Sequence, residues 1–432
     1  MAEVAPSQLM RVLRRRDLVG ILLNAMIGAG MLAAPAKVYA LAGDWSFVVL
    51  ASAAAILIPL VLCFADLGSR FSGTGGAYLY ARAALPPYLA FAVGWLLWLS
   101  QALSVATLAN LLVTYLGGFF PALEAGWGRI SVLIVLGVVL TSIVLAGIRQ
   151  SAGASNLLIV IKVAFVLAFL AAGVAFVRPE RLMVDQPPPD VGAFAQAILV
   201  YLFAYSGFER GAVVAGEARD PQHDVPLALL GSAVIVTFAY AAVMLICVGV
   251  LDAPAATDRP LAEAGRQLYG QTGAVLVSAG AMAVIVGTIL VIIISMPRML
   301  LSLAEHGQLP ASLGRVHAAW HTPHVAILTS SALAFGFAIA SDLISALTFA
   351  TATRLLGYIL CCIALWRLAR RNDAPPALFN LPFRGPVALS TAALFTVVLL
   401  TGATKELPSL AGVLAIGFAL MFLTRRLSQP RP

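Results

Sequence analysis

Several ionisable residues stand inside otherwise apolar runs of this sequence. Lys162 lies in NLLIVIKVAFVLAFL, Glu209 and Arg210 in YLFAYSGFER, and Arg354 in FATATRLLGYIL. A charge held in hydrocarbon costs several kcal/mol, so each needs a partner or a polar cavity. Two clusters of small residues accompany them. One is NAMIGAGM at 24–31, the other the Ser206-Gly207 pair just before Glu209. Glycine costs about 1 kcal/mol against alanine inside a helix, so a Gly-x-Gly deep in an apolar segment is a local weak point. The chemistry these residues offer is binding, by fixed charge and exposed backbone dipoles. Bond-breaking chemistry is not indicated: no Ser-His-Asp set, metal cluster or phosphate-cradling loop stands out, and no enzyme activity, cofactor or metal is expected. His317, His321 and His324 have a spacing that invites a metal, but Pro323 interrupts it, and they read as a loop.

The elements that must position these groups are membrane helices. Of 432 residues, 61% are hydrophobic and 11% charged, against roughly 25% charged in a soluble domain. About twelve apolar segments of spanning length follow one another, at 18–40, 45–67, 86–118, 129–148, 155–177, 191–216, 227–251, 272–303, 324–341, 343–366, 386–402 and 409–424. The expected fold class is an all-α polytopic membrane protein, its first span retained rather than cleaved as a signal peptide. With the amino terminus in the cytoplasm, seventeen arginines from Arg11 to Arg431 fall inside and six basic residues outside. This asymmetry predicts that both termini are cytoplasmic and that the span number is even. The net charge of +8 is thereby explained by topology and anionic lipid, and no nucleic-acid partner is expected. Cys63, Cys247, Cys361 and Cys362 lie in apolar segments, where cysteine behaves as a small hydrophobe.

Depth links the two small-residue clusters. Gly28 lies 11 residues beyond Asp17, or ~16 Å along a helix. Gly207 lies 10 residues before Glu217, or ~15 Å. Both points fall near the bilayer midplane, in the first and sixth spans. Two matched interruptions five spans apart predict a five-plus-five inverted repeat with discontinuous helices 1 and 6. The organisation then reads as a cytoplasmic segment 1–17, a first repeat 18–177, a second repeat 191–366, two further spans within 386–424, and a cytoplasmic tail 425–432. An unwound helix frees backbone groups that hydrocarbon cannot satisfy. A zwitterion can: free N–H groups at a helix start suit a carboxylate, and carbonyls at a helix end suit an ammonium.

At these residues the chain resembles the amino acid–polyamine–organocation transporter superfamily. The likeness runs through IGAGMLAAP at 27–35, FADLGSRFSGTGGAYLYARAALPPYLAFAVGWLLWLSQ at 64–101, FAYSGFERGAVVAGEARDPQHDVPLAL at 203–229 and PRMLLSLAEHGQLPASLGRVH at 297–317. The resemblance implies a LeuT-like fold and a bacterial permease-like carrier in the cytoplasmic membrane. It implies that Ala29, Gly30 and Met31, beside Gly28, offer amides to a substrate carboxylate. Ala25, Met26 and Ile27, with Phe203, Ala204 and Ser206, would offer carbonyls to its amine. Phe203 would close over the substrate, and Tyr205, Gly207 and Phe208 would shape the pocket. It also implies that the Lys162 ammonium stands where sodium-dependent relatives hold an ion, which makes transport sodium-independent. Snorkelling of Lys162 to the interface is the alternative on residues alone.

The expected function is alternating-access transport of an α-amino acid, proton-coupled or exchanging, with amino acid or polyamine export or antiport as the alternative. An amino acid sensor is the reading from another class. A major-facilitator fold, faintly suggested by DLGSR at 66–70, fits poorly because the loop at 217–226 is short. Arg354 reads as a snorkelled or gating arginine, or else as a partner of Glu209 or of an acidic substrate. Side-chain choice would fall to residues such as Gln101, Ser104, Asn110, Met282 and Thr351. Pocket walls of Ala, Gly and Phe suggest a neutral substrate. The oligomeric state is not legible.

Overall fold

The computed structural model describes residues 14–428 apart from 74, 214, 216, 217, 318, 319 and 321, with side chains given at these positions except at 29, 148–156, 343, 344, 427 and 428. Glu217, His321, Arg11 and Arg431, all used in the sequence reading, lie outside the described residues. The first apolar segment is two helices, α1 (Arg15–Met26) and α2 (Ala29–Ala42). Then come α3 (Ser46–Arg70), the short α4 (Ala77–Ala84), α5 (Pro87–Gly117), α6 (Gly126–Leu145) and α7 (Ile148–Gly173). The sixth segment is again divided, into α8 (Val191–Ala204) and α9 (Glu209–Val213). The chain continues through α10 (Pro221–Val250), α11 (Pro260–Glu305), α12 (His324–Ala340), α13 (Leu343–Ala369), α14 (Arg384–Gly402) and α15 (Leu407–Ser428). Tyr269 and Gly270 leave helical geometry inside α11 and divide a short leading helix from the long one after it.

Among the described residues, ten helical stretches are long and apolar enough to cross a membrane, and α12 is a shorter apolar helix. Their outward faces are apolar too. Val138 on α6, Leu167 on α7, Leu276 on α11 and Phe422 on α15 are all exposed. Water does not tolerate apolar surface on this scale, whereas lipid does. The chain is an integral multi-pass membrane protein.

The middle of the molecule is organised on α5, whose apolar window is entirely buried. It packs against α11, α12 and α13. Because this stretch of α5 is enclosed by neighbouring helices, it can carry Ser100, Gln101, Ser104, Thr107 and Asn110, all buried. Ser100, Ser104 and Thr107 turn their hydroxyls back to carbonyls of the preceding turn, so the helix satisfies them itself. α1 and α2 lie beside α8, α10 and α11.

At the end of α3, the DLGSR residues form a clasp. Arg70 Nε donates to Asp66 Oδ1 at 2.6 Å, and Arg70 Nη1 donates to the Pro375 carbonyl at 2.6 Å. The other Asp66 oxygen accepts from the Leu381 amide at 3.2 Å. This buried pair therefore ties α3 to the loop between α13 and α14. Removing one member of a buried pair strands the other, at roughly 3–5 kcal/mol. Asp66→Asn is expected to lower the thermal midpoint of purified protein by several degrees. An unchanged midpoint would show that the clasp is dispensable.

Candidate functional site

A helix ends with four carbonyls that lack intrahelical partners. The last four of the α1 segment each meet a side chain from another helix. Lys162 on α7 sends its ammonium to the carbonyls of Asn24 at 2.8 Å and Ile27 at 2.7 Å, and to the Thr288 hydroxyl on α11 at 2.8 Å. Arg210 Nη1 on α9 reaches the Ala25 carbonyl at 3.3 Å. The Tyr240 hydroxyl on α10 touches the Met26 carbonyl at 2.6 Å. A helix C-terminus carries about half a negative charge, so two cations here complement it. The ammonium has three protons, and three acceptors receive them. Lys162 is 1% exposed and does not snorkel.

The second break faces the first. α8 ends at Ala204, whose carbonyl also touches the Tyr240 hydroxyl, at 2.8 Å. That hydroxyl has one proton and serves one helix end at a time. Gly207 follows with φ of 110°, a conformation open to glycine and strained for other residues. Its amide donates to Glu209 Oε2 at 2.8 Å. At the start of α2, Gly28 provides no side-chain cap to the first amides. Gly30 meets the end of α8 so closely that a Cβ would stand 2.2 Å from the Ala204 Cα.

Between the breaks lies a small cavity bordered by Ala25, Met26, Gly28, Gly30, Phe203, Ala204, Ser206 and Arg210, and by Ser104, Leu108, Thr288 and Ile292. Its volume is about 20 Å³, counted as space open to the centre of a water-sized sphere. One water needs about 10–15 Å³ by that measure, so an amino acid does not fit until the helix ends separate.

Behind the cavity runs a charged layer. Glu209 Oε2 also accepts from the Tyr358 hydroxyl at 2.8 Å, and its Oε1 lies 3.7 Å from Arg354 Nε. Arg354 Nη2 donates to the Ser104 hydroxyl at 2.7 Å, and its guanidinium sits 5.8 Å from the Phe203 ring centre. Arg354 is 1% exposed, so the snorkelled position suggested by sequence is not the one it takes. The serine-bearing face of α5 supplies acceptors inside the bundle, the Ser104 hydroxyl and the Ser100 carbonyl.

Of the residues expected at the site, Ala25, Met26, Gly28, Gly30, Phe203, Ala204 and Ser206 border the cavity. Ile27 joins through the Lys162 contact, and Met31 is buried beyond the break. The side chain of Ala29 is not among those described. Tyr205 packs on Tyr240 with ring centres 5.2 Å apart, and Phe208 packs edge-on to Phe64 at 5.2 Å, so both rings stand behind the wall. Among the proposed tuning residues only Ser104 reaches the cavity. Gln101 accepts from Ser295, and Asn110 donates to the Ala338 and Ser341 carbonyls near the end of α12. Thr351 donates to Leu347 on its own helix, and Met282 is half-buried. Tyr240 and Thr288 were missed. Their signal was weak: a single hydroxyl in an apolar span, whose partner the sequence does not reveal.

Tyr240→Phe orphans one of two buried carbonyls, at roughly 1–3 kcal/mol. The expected result is a several-fold loss of flux and a lower thermal midpoint. Equal flux in the two proteins would show that the bridge is incidental.

Residues 13–424 match the sequence model of the family described as amino acid permease. The chain belongs to the amino acid permease family. The match covers nearly the whole permease chain, which sets aside the major-facilitator alternative. Cationic amino acid transporter 9, chloroplastic, of Arabidopsis thaliana is 31% identical over 72% of this chain, and the alignment spans 58% of that relative. The methylthioribose transporter of Bacillus subtilis is 25% identical over 90% of this permease and 88% of its own length. The branched-chain amino acid permease BcaP of the same organism is 26% identical over 91% and 88%. The permease is thus similar to transporters along most of its length.

Proposed function

We propose that this permease carries an α-amino acid across the cytoplasmic membrane by alternating access, without sodium. In this reading it has twelve spans, with both termini cytoplasmic. Residues 18–177 and 191–366 form two inverted repeats, 386–424 adds two spans, and the segments 1–17 and 425–432 are cytoplasmic. α1 with α2 and α8 with α9 are the discontinuous helices of a LeuT-like fold. The observation that carries the reading is the meeting of two interrupted helices at a cavity too small for the substrate. Such a site must open to load, and opening to alternate sides is transport.

The substrate carboxylate takes the amides of Ala29, Gly30 and Met31 at the uncapped start of α2. Its ammonium takes remaining lone pairs on the carbonyls of Ala25, Met26, Ile27, Phe203, Ala204 and Ser206, since a carbonyl accepts two hydrogen bonds. Phe203 covers the bound molecule. Lys162 is the coupling residue, holding the end of α1 as a resident cation. Protein reconstituted in liposomes is expected to show saturable amino acid counterflow that is indifferent to sodium. An imposed pH gradient separates proton-coupled uptake from exchange. Binding without flux would make the protein a sensor and overturn the reading.

A further inference from the structure

Three cations and one carboxylate stand around this site. Lys162, Arg210 and Arg354 are each 1–2% exposed and Glu209 is 4% exposed. Arginine does not give up its proton in a protein, so the two guanidinium charges are permanent. Lys162 is answered by the end of α1. Glu209 spends one oxygen on the Gly207 amide and the Tyr358 hydroxyl, and its other oxygen stays 3.7 Å from Arg354, outside hydrogen-bond range. Arg354 is left with Nε and Nη1 buried and without an acceptor, and Arg210 with its Nε. Buried donors on a charged group are costly to leave unmade.

The geometry points to a substrate that brings its own second anion. Resting on the transporter reading above, we infer that the site selects amino acids with an acidic side chain and that Arg354, aided by Arg210, receives that group. Arg210 borders the cavity directly. Arg354 stands immediately behind two of its walls, against the Phe203 ring and the Ser104 hydroxyl. When the helix ends part and Phe203 swings aside, the unused N–H groups face the space that opens. A guanidinium binds a carboxylate through two parallel charge-assisted hydrogen bonds. The α-carboxylate already has the start of α2, so the arginines are left for the side chain. The same excess of positive charge repels lysine and arginine as substrates. The neutral preference suggested by the Ala, Gly and Phe walls ignores these two side chains, and the inference departs from relatives named for cationic or branched-chain amino acids.

The test is counterflow in liposomes, with glutamate, aspartate, leucine and arginine as competing substrates. Wild-type protein is expected to prefer glutamate or aspartate over leucine by about tenfold or more, equivalent to one good ionic contact, and to exchange no arginine. The double substitution Arg354→Gln with Glu209→Gln removes one charge of each sign, so it leaves no lone buried carboxylate. It is expected to reverse the preference toward leucine while keeping a thermal midpoint close to wild type. If the guanidinium only held Glu209 in place, the double variant would keep the acidic preference, and the inference would fall. Wild-type exchange of leucine or arginine ahead of glutamate would also overturn it, with the transporter reading intact. A wild-type protein that exchanges no amino acid removes both.

Discussion

Lys162→Met is expected to cut amino acid counterflow by at least about a hundredfold. The ammonium is the common partner of the Asn24 carbonyl, the Ile27 carbonyl and the Thr288 hydroxyl. Methionine fills similar space and donates nothing. The Asn24 and Ile27 carbonyls at the end of α1 then each lose the ammonium, Ile27 keeping the Thr288 hydroxyl at 3.1 Å, and a buried hydrogen bond left unmade costs roughly 1–3 kcal/mol. About 2.7 kcal/mol already corresponds to a hundredfold change in an equilibrium. The end of α1 is one wall of the site, so its displacement acts directly on binding. Stability should fall less than transport, because methionine also relieves the cost of burying a charge. Lys162→Arg should fail as well, since a planar fork cannot direct protons at three acceptors arranged around one nitrogen. Counterflow and the thermal midpoint, measured on the same preparation, check both halves. Unchanged uptake with an unchanged pH profile in Lys162→Met would end the coupling role.

Gly30→Ala should abolish flux while the protein still inserts in the membrane. A Cβ on residue 30 would lie 2.2 Å from both Cα and Cβ of Ala204. No rotamer change moves a backbone atom, so α2 and α8 must separate. Overpacking of this kind costs typically 1–3 kcal/mol even where neighbours can yield. The consequence is specific: Ala204→Gly should not rescue Gly30→Ala, because the Cα of residue 204 remains as close as its Cβ was. Recovery of flux in the double variant would show that the contact is soft and that the two breaks do not interlock. Gly28 makes a useful contrast. The nearest atoms to a Cβ there belong to the Thr288 side chain, at 3.0 Å and beyond, and not to backbone, so Gly28→Ala should be milder than Gly30→Ala.

Much of the architecture was legible because its causes are local. Hydrocarbon demands about twenty apolar residues per crossing, and the sequence supplies them segment by segment. A glycine-rich stretch at the midplane weakens a helix wherever it occurs, which is why the interruptions at 27–28 and 205–208 could be placed from residue types and depth. A lysine flanked by valine and isoleucine advertises a buried partner for the same reason. The partners were another matter. Lys162 and Thr288 are 126 residues apart, Tyr240 and Met26 are 214 apart, and Arg354 and Ser104 are 250 apart. Periodicity says which face of a helix is apolar, and it is silent on which helix lies opposite. Gln101 and Asn110 looked like specificity residues because they are polar in a span, yet neighbouring helices consume their hydrogen bonds. The sequence by itself determined that this chain crosses a membrane many times and where two of its helices give way, since solvent transfer and backbone propensity act within a segment. Only the tertiary structure decided which side chains cap the broken ends and that two arginines are left short of acceptors, since hydrogen bonds and charge balance depend on what packing brings together.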